Sequence, residues 1–170
     1  MLKIRHAVSA DVHIISALAI TTCYEAYFEL DPSPDLAEYC LKAFDLQTIT
    51  TELENTNSTF LLAELNTKAI GYAKLREGKE VECLRGANAI EIQRIYLLEK
   101  AKGKNFGRAL IEKCIAIAKE KGYEILWLGV WDKNIAAQRF YERLGFKNIG
   151  TTGFSDGKTS FINFVMKKNL

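Results

Sequence analysis

An α/β fold built on one mixed sheet is what the order of elements in this chain predicts. Three observations carry that prediction. Residues 59–65 and 69–76 are β-rich runs joined through Asn66-Thr67-Lys68, the layout of a hairpin. An alternating run (Ile90, Ile92, Arg94, Tyr96) then passes Gly103 and Gly107 into a helical pattern over about 105–121. After that helix, residues 124–131 (EILWLGVW) are almost continuously apolar. A buried strand entered from a helix reads as parallel to the preceding strand, through a right-handed crossover.

The remaining elements follow the same logic. Leu2 to Arg5 reads as a first strand, and Ser9 as an N-cap before a helix that carries Val12, Ile15, Leu18 and Ala19 and ends near Phe28. Asp31-Pro32-Ser33-Pro34 holds both prolines of the chain and is its strongest break. Residues 35–44 read as a helix with Leu36, Tyr39, Cys40 and Ala43 on one face, and Asp45 caps another over 46–53. A turn spans 55–58, and residues 77–88 are polar enough to be a loop. The helix over 105–121 turns Leu110, Ile111, Cys114, Ile117 and Ala118 inward and stops at Gly122. Asp132-Lys133-Asn134 leads into a further helix ending at Leu144, with Gly145 as its cap. Residues 146–154 and 159–167 are the last two strands, around Asp156-Gly157. No repeat or linker divides the chain, so residues 1–170 are expected to form a single domain.

Composition narrows the function classes. The chain is 48% hydrophobic and 26% charged, which is ordinary for a globular protein, and 170 residues can bury a core without staples. A net charge of +2 falls short of a nucleic-acid binder's basic signature. Four cysteines (Cys23, Cys40, Cys83, Cys114) form no C-x-x-C pair, and with only His6 and His13 no zinc spacing exists. Lys3, Arg5, His6 and Asp11 interrupt the start before any apolar signal region forms, and no apolar run reaches ~18 residues. The expectation is a cytoplasmic protein that holds no metal and engages neither membrane nor nucleic acid.

Residues 91–108 (EIQRIYLLEKAKGKNFGR) form the chemically loaded stretch. Strand, tight loop and helix start aim several backbone N–H groups at one point, and the helix dipole adds partial positive charge there. Lys102, Lys104 and Arg108 bring full charges to the same place. This is an anion site suited to a phosphorylated cofactor. A Walker loop needs G-K-[ST], whereas Gly107 is followed by Arg108-Ala109, and no G-x-G-x-x-G is present. The stretch is similar to the acetyl-coenzyme-A loop [QR]-x-x-G-x-[GA], with Lys102 in the first place, Asn105 in the first glycine place and Gly107 in the last. Asn tolerates positive φ better than other non-glycine residues, so the loop is expected to keep its shape.

A second constellation is NIAAQRFYERLGF, residues 134–146. Asn134, Ala137 and Tyr141 are spaced i, i+3, i+7 and share a helix face. Here the chain resembles the GCN5-related N-acetyltransferase (GNAT) family, whose pattern N-x-x-A-x-x-F-Y-x-x-x-G-F is met in full, and the order of elements agrees along the whole chain. A closer likeness is to bacterial PaiA-type diamine and polyamine N-acetyltransferases, through TTCYEAYFEL, YCLKAF, EIQRIYLL and LWLGVWDKN. The resemblance implies a mostly antiparallel sheet with a central splayed parallel strand pair and helices on both faces. It implies acetyl-CoA as cosubstrate, held by Lys102, Gly103, Lys104, Asn105, Phe106, Gly107 and Arg108. Pantetheine would run along the backbone of Ile95, Tyr96 and Leu97, and Asn134 would contact the cofactor or act as an N-cap.

Acetyl transfer to an amine sets three demands. An alkyl amine with a pKa of ~10.4 must lose a proton, at a cost of about 4–5 kcal/mol at neutral pH. Glu91, on the strand face shared with Gln93 and Ile95, resembles the family's strand-borne base. A backbone N–H of the same strand would polarise the thioester carbonyl, a donor worth about 3–4 kcal/mol elsewhere. Tyr141, with a pKa of ~10 against ~8.5 for a thiol, is the candidate acid for the departing thiolate. Tyr24, Tyr27, Phe28, Glu29, Asp31, Asp35 and Glu38 form an acidic, aromatic segment where the family places its acceptor helices, suited to a polycation. No cysteine accompanies a histidine in a nucleophile pattern, so direct attack in a ternary complex is expected. Alternative readings are acetylation of a protein N-terminus or lysine, and a non-catalytic CoA-binding regulator. The resemblance leaves room for a homodimer.

Overall fold

The computed structural model describes residues 1–29, 34–155 and 160–170. Its strands are β1 (Leu2–His6), β2 (Ser58–Leu65), β3 (Lys68–Arg76), β4 (Ala89–Leu97), β5 (Ile125–Trp131), β6 (Lys147–Ser155) and β7 (Ser160–Asn169). Its helices are α1 (Val12–Tyr27), α2 (Pro34–Ala43), α3 (Leu46–Glu54), α4 (Phe106–Glu120) and α5 (Ile135–Arg143). The fold is α/β. The hydrogen-bonded strand order is β1-β2-β3-β4-β5-β7-β6, a seven-stranded mixed sheet. β4 and β5 are the parallel pair, in register from Ala89–Ile125 to Glu91–Trp127. β1–β2, β5–β7 and β6–β7 run antiparallel. The expected turns at Asp31-Pro32-Ser33 and Asp156-Gly157 lie outside the described residues.

Contacts divide the chain into two compact units, Met1–Leu75 with Arg94–Lys113, and Arg76–Gln93 with Cys114–Leu170. The backbones of β4 and α4 each pass from one unit to the other. In the first unit, Ile15, Leu18, Ala19 and Cys23 of α1 pack with Leu36 and Cys40 of α2, Ile49 of α3, and Phe60, Leu62 and Tyr72. Every one of these is less than a tenth exposed, and burial of apolar surface on that scale is what holds the helices in place. Pro34 opens α2 at its first position, where a missing N–H costs nothing. Asp45 caps α3 by accepting from Thr48 N at 2.7 Å. In the second unit, Trp127 and Val165 pack with Val81 and Leu84. Gly122 (φ 80°) stops α4, and Tyr123 N reaches back to Ala118 O at 3.0 Å.

Several boundaries differ from the sequence expectation, and three of them have a local cause. Ser9 is not the cap of α1, because a 3-10 turn over Ser9–Asp11 precedes that helix. Asp11 does the local work instead, accepting from Val8 N at 2.8 Å and from both terminal nitrogens of Arg5 at 2.7 and 2.8 Å. The β2–β3 turn is Asn66-Thr67 alone, both left-handed at φ 49° and 68°, so Lys68 already belongs to β3. That is a tight two-residue hairpin whose twist matches the strands. Phe146 does not begin β6: its amide bonds Tyr141 O at 3.1 Å, which makes it part of the turn ending α5.

Candidate active site

The proposed anion loop lies wholly in the first unit. A 3-10 turn, Glu99–Ala101, follows β4, and its start is tied to α1 by Glu99 N donating to Glu25 Oε2 at 2.9 Å. Gly103 and Asn105 both take the left-handed conformation, at φ 72° and 63°. α4 then begins at Phe106, and Ala109 N closes onto Asn105 O at 3.1 Å. The amides of Phe106, Gly107 and Arg108 precede that bond and are the free donors of a helix start. Residues 102–105 and Arg108 are exposed. Lys102 is ion-paired with Glu99, and Lys104 Nζ donates to Lys100 O at 3.0 Å. A diphosphate suits this set: open amides at a positive helix end, with three cations alongside.

The end of β4, also in the first unit, holds Ile95, Tyr96 and Leu97, all half-buried. Tyr96 OH and Tyr27 OH are 3.3 Å apart, and the Tyr96 ring lies 6.1 Å from that of fully buried Tyr72. Burial pushes the Tyr96 phenol well above the usual range. The Tyr72 hydroxyl is buried and has no hydrogen-bond partner among the described residues. Gly71 on β3 matters here, because a Cβ at that position would collide with the Tyr96 carbonyl and the Leu97 side chain. Beneath this stretch, Glu52 of α3 takes Arg94 on one side and Lys74 on the other, with Arg94 Nη2 at 2.8 Å and Lys74 Nζ at 2.9 Å from Oε1.

Both predicted catalytic groups, Glu91 and Tyr141, lie in the second unit, as does Asn134. Glu91 is 7% exposed, and its Oε2 sits 2.6 Å from Arg76 Nε. The carboxylate is thus buried and already paired. Asn134 caps α5, accepting from Ala137 N at 3.1 Å. That occupies its Oδ1 and leaves its side-chain NH₂ as the group free to meet a ligand. Tyr141 is half-buried, with its ring 5.3 Å from Phe140 and 5.9 Å from Phe146.

Of the proposed acceptor residues, Tyr24 and Phe28 are exposed with ring centroids 5.5 Å apart and planes tilted at 45°, Tyr27 is half-buried against Tyr96, and Glu29, Asp35 and Glu38 are exposed. Glu38 pairs with Lys42 at 2.6 Å. Asp31 lies outside the described residues. Burial pushes the Cys114 thiol up to about 12, and the Cys40 partner and burial hold Cys23 far above the usual thiol range, so neither is a ready thiolate nucleophile.

Sequence reasoning did not single out Arg76, Gly71, Gln138 or the Glu52–Lys74–Arg94 cluster. Gly71 inside a strand is the one with a local signal, since a strand glycine marks close backbone approach. Arg76 and the Glu52 cluster are pairings distant in sequence that no spacing rule reaches, and Gln138 bonds carbonyls six and seven residues back, outside its own helix.

Comparison with known proteins gives these elements a context. An uncharacterized N-acetyltransferase of Lactobacillus delbrueckii subsp. lactis is 32% identical over 152 residues, covering 84% of this chain and 83% of that protein. An uncharacterized N-acetyltransferase of Mycobacterium tuberculosis is 34% identical over 118 residues, covering 69% of this chain and 71% of its own length. In fold, the chain superposes on the PaiA N-acetyltransferase of Thermoplasma acidophilum, solved in complex with coenzyme A, with a TM-score of 0.82 at 22% identity over 100% of this chain and 99% of that one. A GCN5-related N-acetyltransferase from Rhodopseudomonas palustris gives 0.79 at 20% identity, over 99% and 95% of the two chains. The family model described as acetyltransferase (GNAT) family matches residues 19–146, and with these relatives it establishes that the chain belongs to that family, acyltransferases that draw their acetyl group from acetyl-CoA.

Proposed function

We propose that this acetyltransferase moves the acetyl group of acetyl-CoA to a primary amine of a small di- or polyamine, of the spermidine or spermine type, by direct attack in a ternary complex. The observation that carries the cofactor half is the loop at Lys102–Arg108, where Gly103 and Asn105 turn left-handed into a helix start. In this reading its amides hold the diphosphate, and the backbone of Ile95, Tyr96 and Leu97 takes the pantetheine. Glu91 draws the proton from the attacking amine, through water because Arg76 already occupies one of its oxygens. Tyr141 returns a proton to the sulfur as the C–S bond breaks. The polyamine half is supported by the exposed Tyr24–Phe28 pair and the exposed carboxylates of Glu29, Asp35 and Glu38. A cytoplasmic setting, a single working domain and a homodimer belong to the same proposal. No helix among the described residues is long and apolar enough to cross a membrane.

The test is release of free CoA thiol from acetyl-CoA against a panel of putrescine, spermidine, spermine, amino acids and peptides. Turnover confined to the polyamines is the expected result. Turnover only with peptides makes the enzyme a protein acetylator. Tight acetyl-CoA binding with no turnover on any amine makes it a regulator. Tyr141→Phe is expected to lower kcat by about 10²-fold or more with acetyl-CoA affinity nearly intact. An unchanged kcat rejects Tyr141 as the acid.

A further inference from the structure

α5 carries Asn134 at its start and Tyr141 near its end, yet none of its residues is fully buried. A helix without a buried stripe is poorly fixed by packing, because apolar contact is what ordinarily sets a helix's rotation. Its packed face is only half-buried, with the Tyr141 ring 5.9 Å from that of Phe146, so polar bonds add to what fixes its rotation, and they gather at its two ends. At the C-terminal end, Lys168 Nζ donates to Leu144 O at 2.8 Å. At the N-terminal end, the half-buried Gln138 side chain spends both amide hydrogens on consecutive carbonyls of the incoming chain. Its Nε2 lies 3.1 Å from Trp131 O and 2.9 Å from Asp132 O. Turned the other way, its oxygen would face two carbonyl oxygens, so only this orientation is favourable. The same turn is drawn tight by Asn134 N to Trp131 O at 2.9 Å, and Asp132 N fastens it to β7 through Ile162 O at 3.1 Å. Residues 134, 138 and 141 follow helical spacing on one face, so the clamp and the phenol share one rigid side of α5.

We propose that Gln138 is a positioning residue for acetyl transfer: by clamping the carbonyls of Trp131 and Asp132 it fixes the rotation of α5, and with it the place of the Tyr141 hydroxyl. This inference rests on the assignment of Tyr141 as the acid. A phenol displaced by about an ångström loses much of its effect, since proton transfer in the transition state tolerates little misplacement.

Gln138→Met keeps the length of the side chain and removes both donors, whereas Gln138→Lys keeps donors on a flexible side chain one atom longer. With the best acceptor from the amine panel, the Met variant is expected to lower kcat about tenfold, with KM for acetyl-CoA within about twofold. The Lys variant is expected to recover most of that loss. In a Tyr141→Phe background the Met substitution should have little further effect, because the group it misplaces is gone. Amide hydrogen exchange in the free protein gives a readout independent of turnover: the Asn134 and Ala137 amides should exchange faster in the Met variant and not in the Lys variant. Unchanged kcat or unchanged exchange in the Met variant overturns the proposal. So does an undiminished loss in the Tyr141→Phe background, which would mark Gln138 as a general structural prop. Full activity in Tyr141→Phe alone overturns the acid assignment and this inference with it, and that single variant tells the two failures apart.

Discussion

Asn105 shows how a deviation from a family pattern is settled by backbone physics. The loop needs a residue at φ near +60°, a conformation that costs ordinary L-residues roughly 1–2 kcal/mol and Asn considerably less. Asn105→Gly is therefore expected to leave acetyl-CoA affinity within about twofold, while Asn105→Val weakens it by roughly tenfold, the strain converted to a binding constant. Equilibrium titration of acetyl-CoA checks both, and equal affinity in the Val variant would refute the strain argument. Gly71 poses the opposite problem: its φ is unremarkable, and space is what it must save. Gly71→Ala drives a methyl into the Tyr96 carbonyl and Leu97, so it should destabilise the fold by about 1–3 kcal/mol in urea unfolding and raise KM for acetyl-CoA together. The loop's shape could be read from Asn105 because the rule involved is local. Gly71's role could not, because the atoms it avoids belong to another strand.

Among the elements, α3 is fastened to the strands by charge as well as by Ile49. Glu52 lies between Lys74 of β3 and Arg94 of β4, with side chains only 19%, 4% and 14% exposed. Burial pushes the Glu52 carboxyl up, and hydrogen bonds and charge from Arg94 and then Lys74 outweigh it, so its folded-state pKa lies below the ordinary 4.5. A lowered acid contributes stability that is complete above its unfolded value and lost as pH falls through the folded one. Glu52→Gln strands two buried cations and is expected to cost about 3–5 kcal/mol near neutral pH. As pH falls below the ordinary 4.5 and on through the lowered folded-state value, the gap to the parent protein should narrow, because acid removes the same charge from the parent. Urea midpoints at several pH values test this, and a gap independent of pH would show that charge is not the fastening. α1, α2 and α4 were legible from apolar spacing because each buries one continuous face, and β5 from a nearly unbroken apolar run because successive residues are buried on both faces. The α3 cluster was not: Glu52 and Arg94 lie 42 residues apart in the chain, and no local spacing rule joins them or Lys74.

For the molecule as a whole, the question is whether its two compact units behave as one domain. No linker is legible in the sequence, and none of the three passages between the units is loop: Leu75–Arg76 and Gln93–Arg94 fall inside strands, and Lys113–Cys114 falls inside α4. Unfolding one unit alone would break β4 and α4 in mid-element, stranding backbone groups that had been paired. One cooperative transition is therefore expected. The chain supplies its own probes for this. Both tryptophans, Trp127 and Trp131, lie in the second unit, while α1, α2 and α3 lie wholly in the first. Tryptophan fluorescence thus follows the second unit, and far-UV circular dichroism is weighted toward the first. Coincident urea curves from the two probes, moved together to higher urea by acetyl-CoA, are the result a single acetyl-CoA-binding domain requires. Curves that separate, or a shift confined to the circular dichroism, would mean that the loop of the first unit binds the cofactor without engaging the half that carries Glu91 and Tyr141.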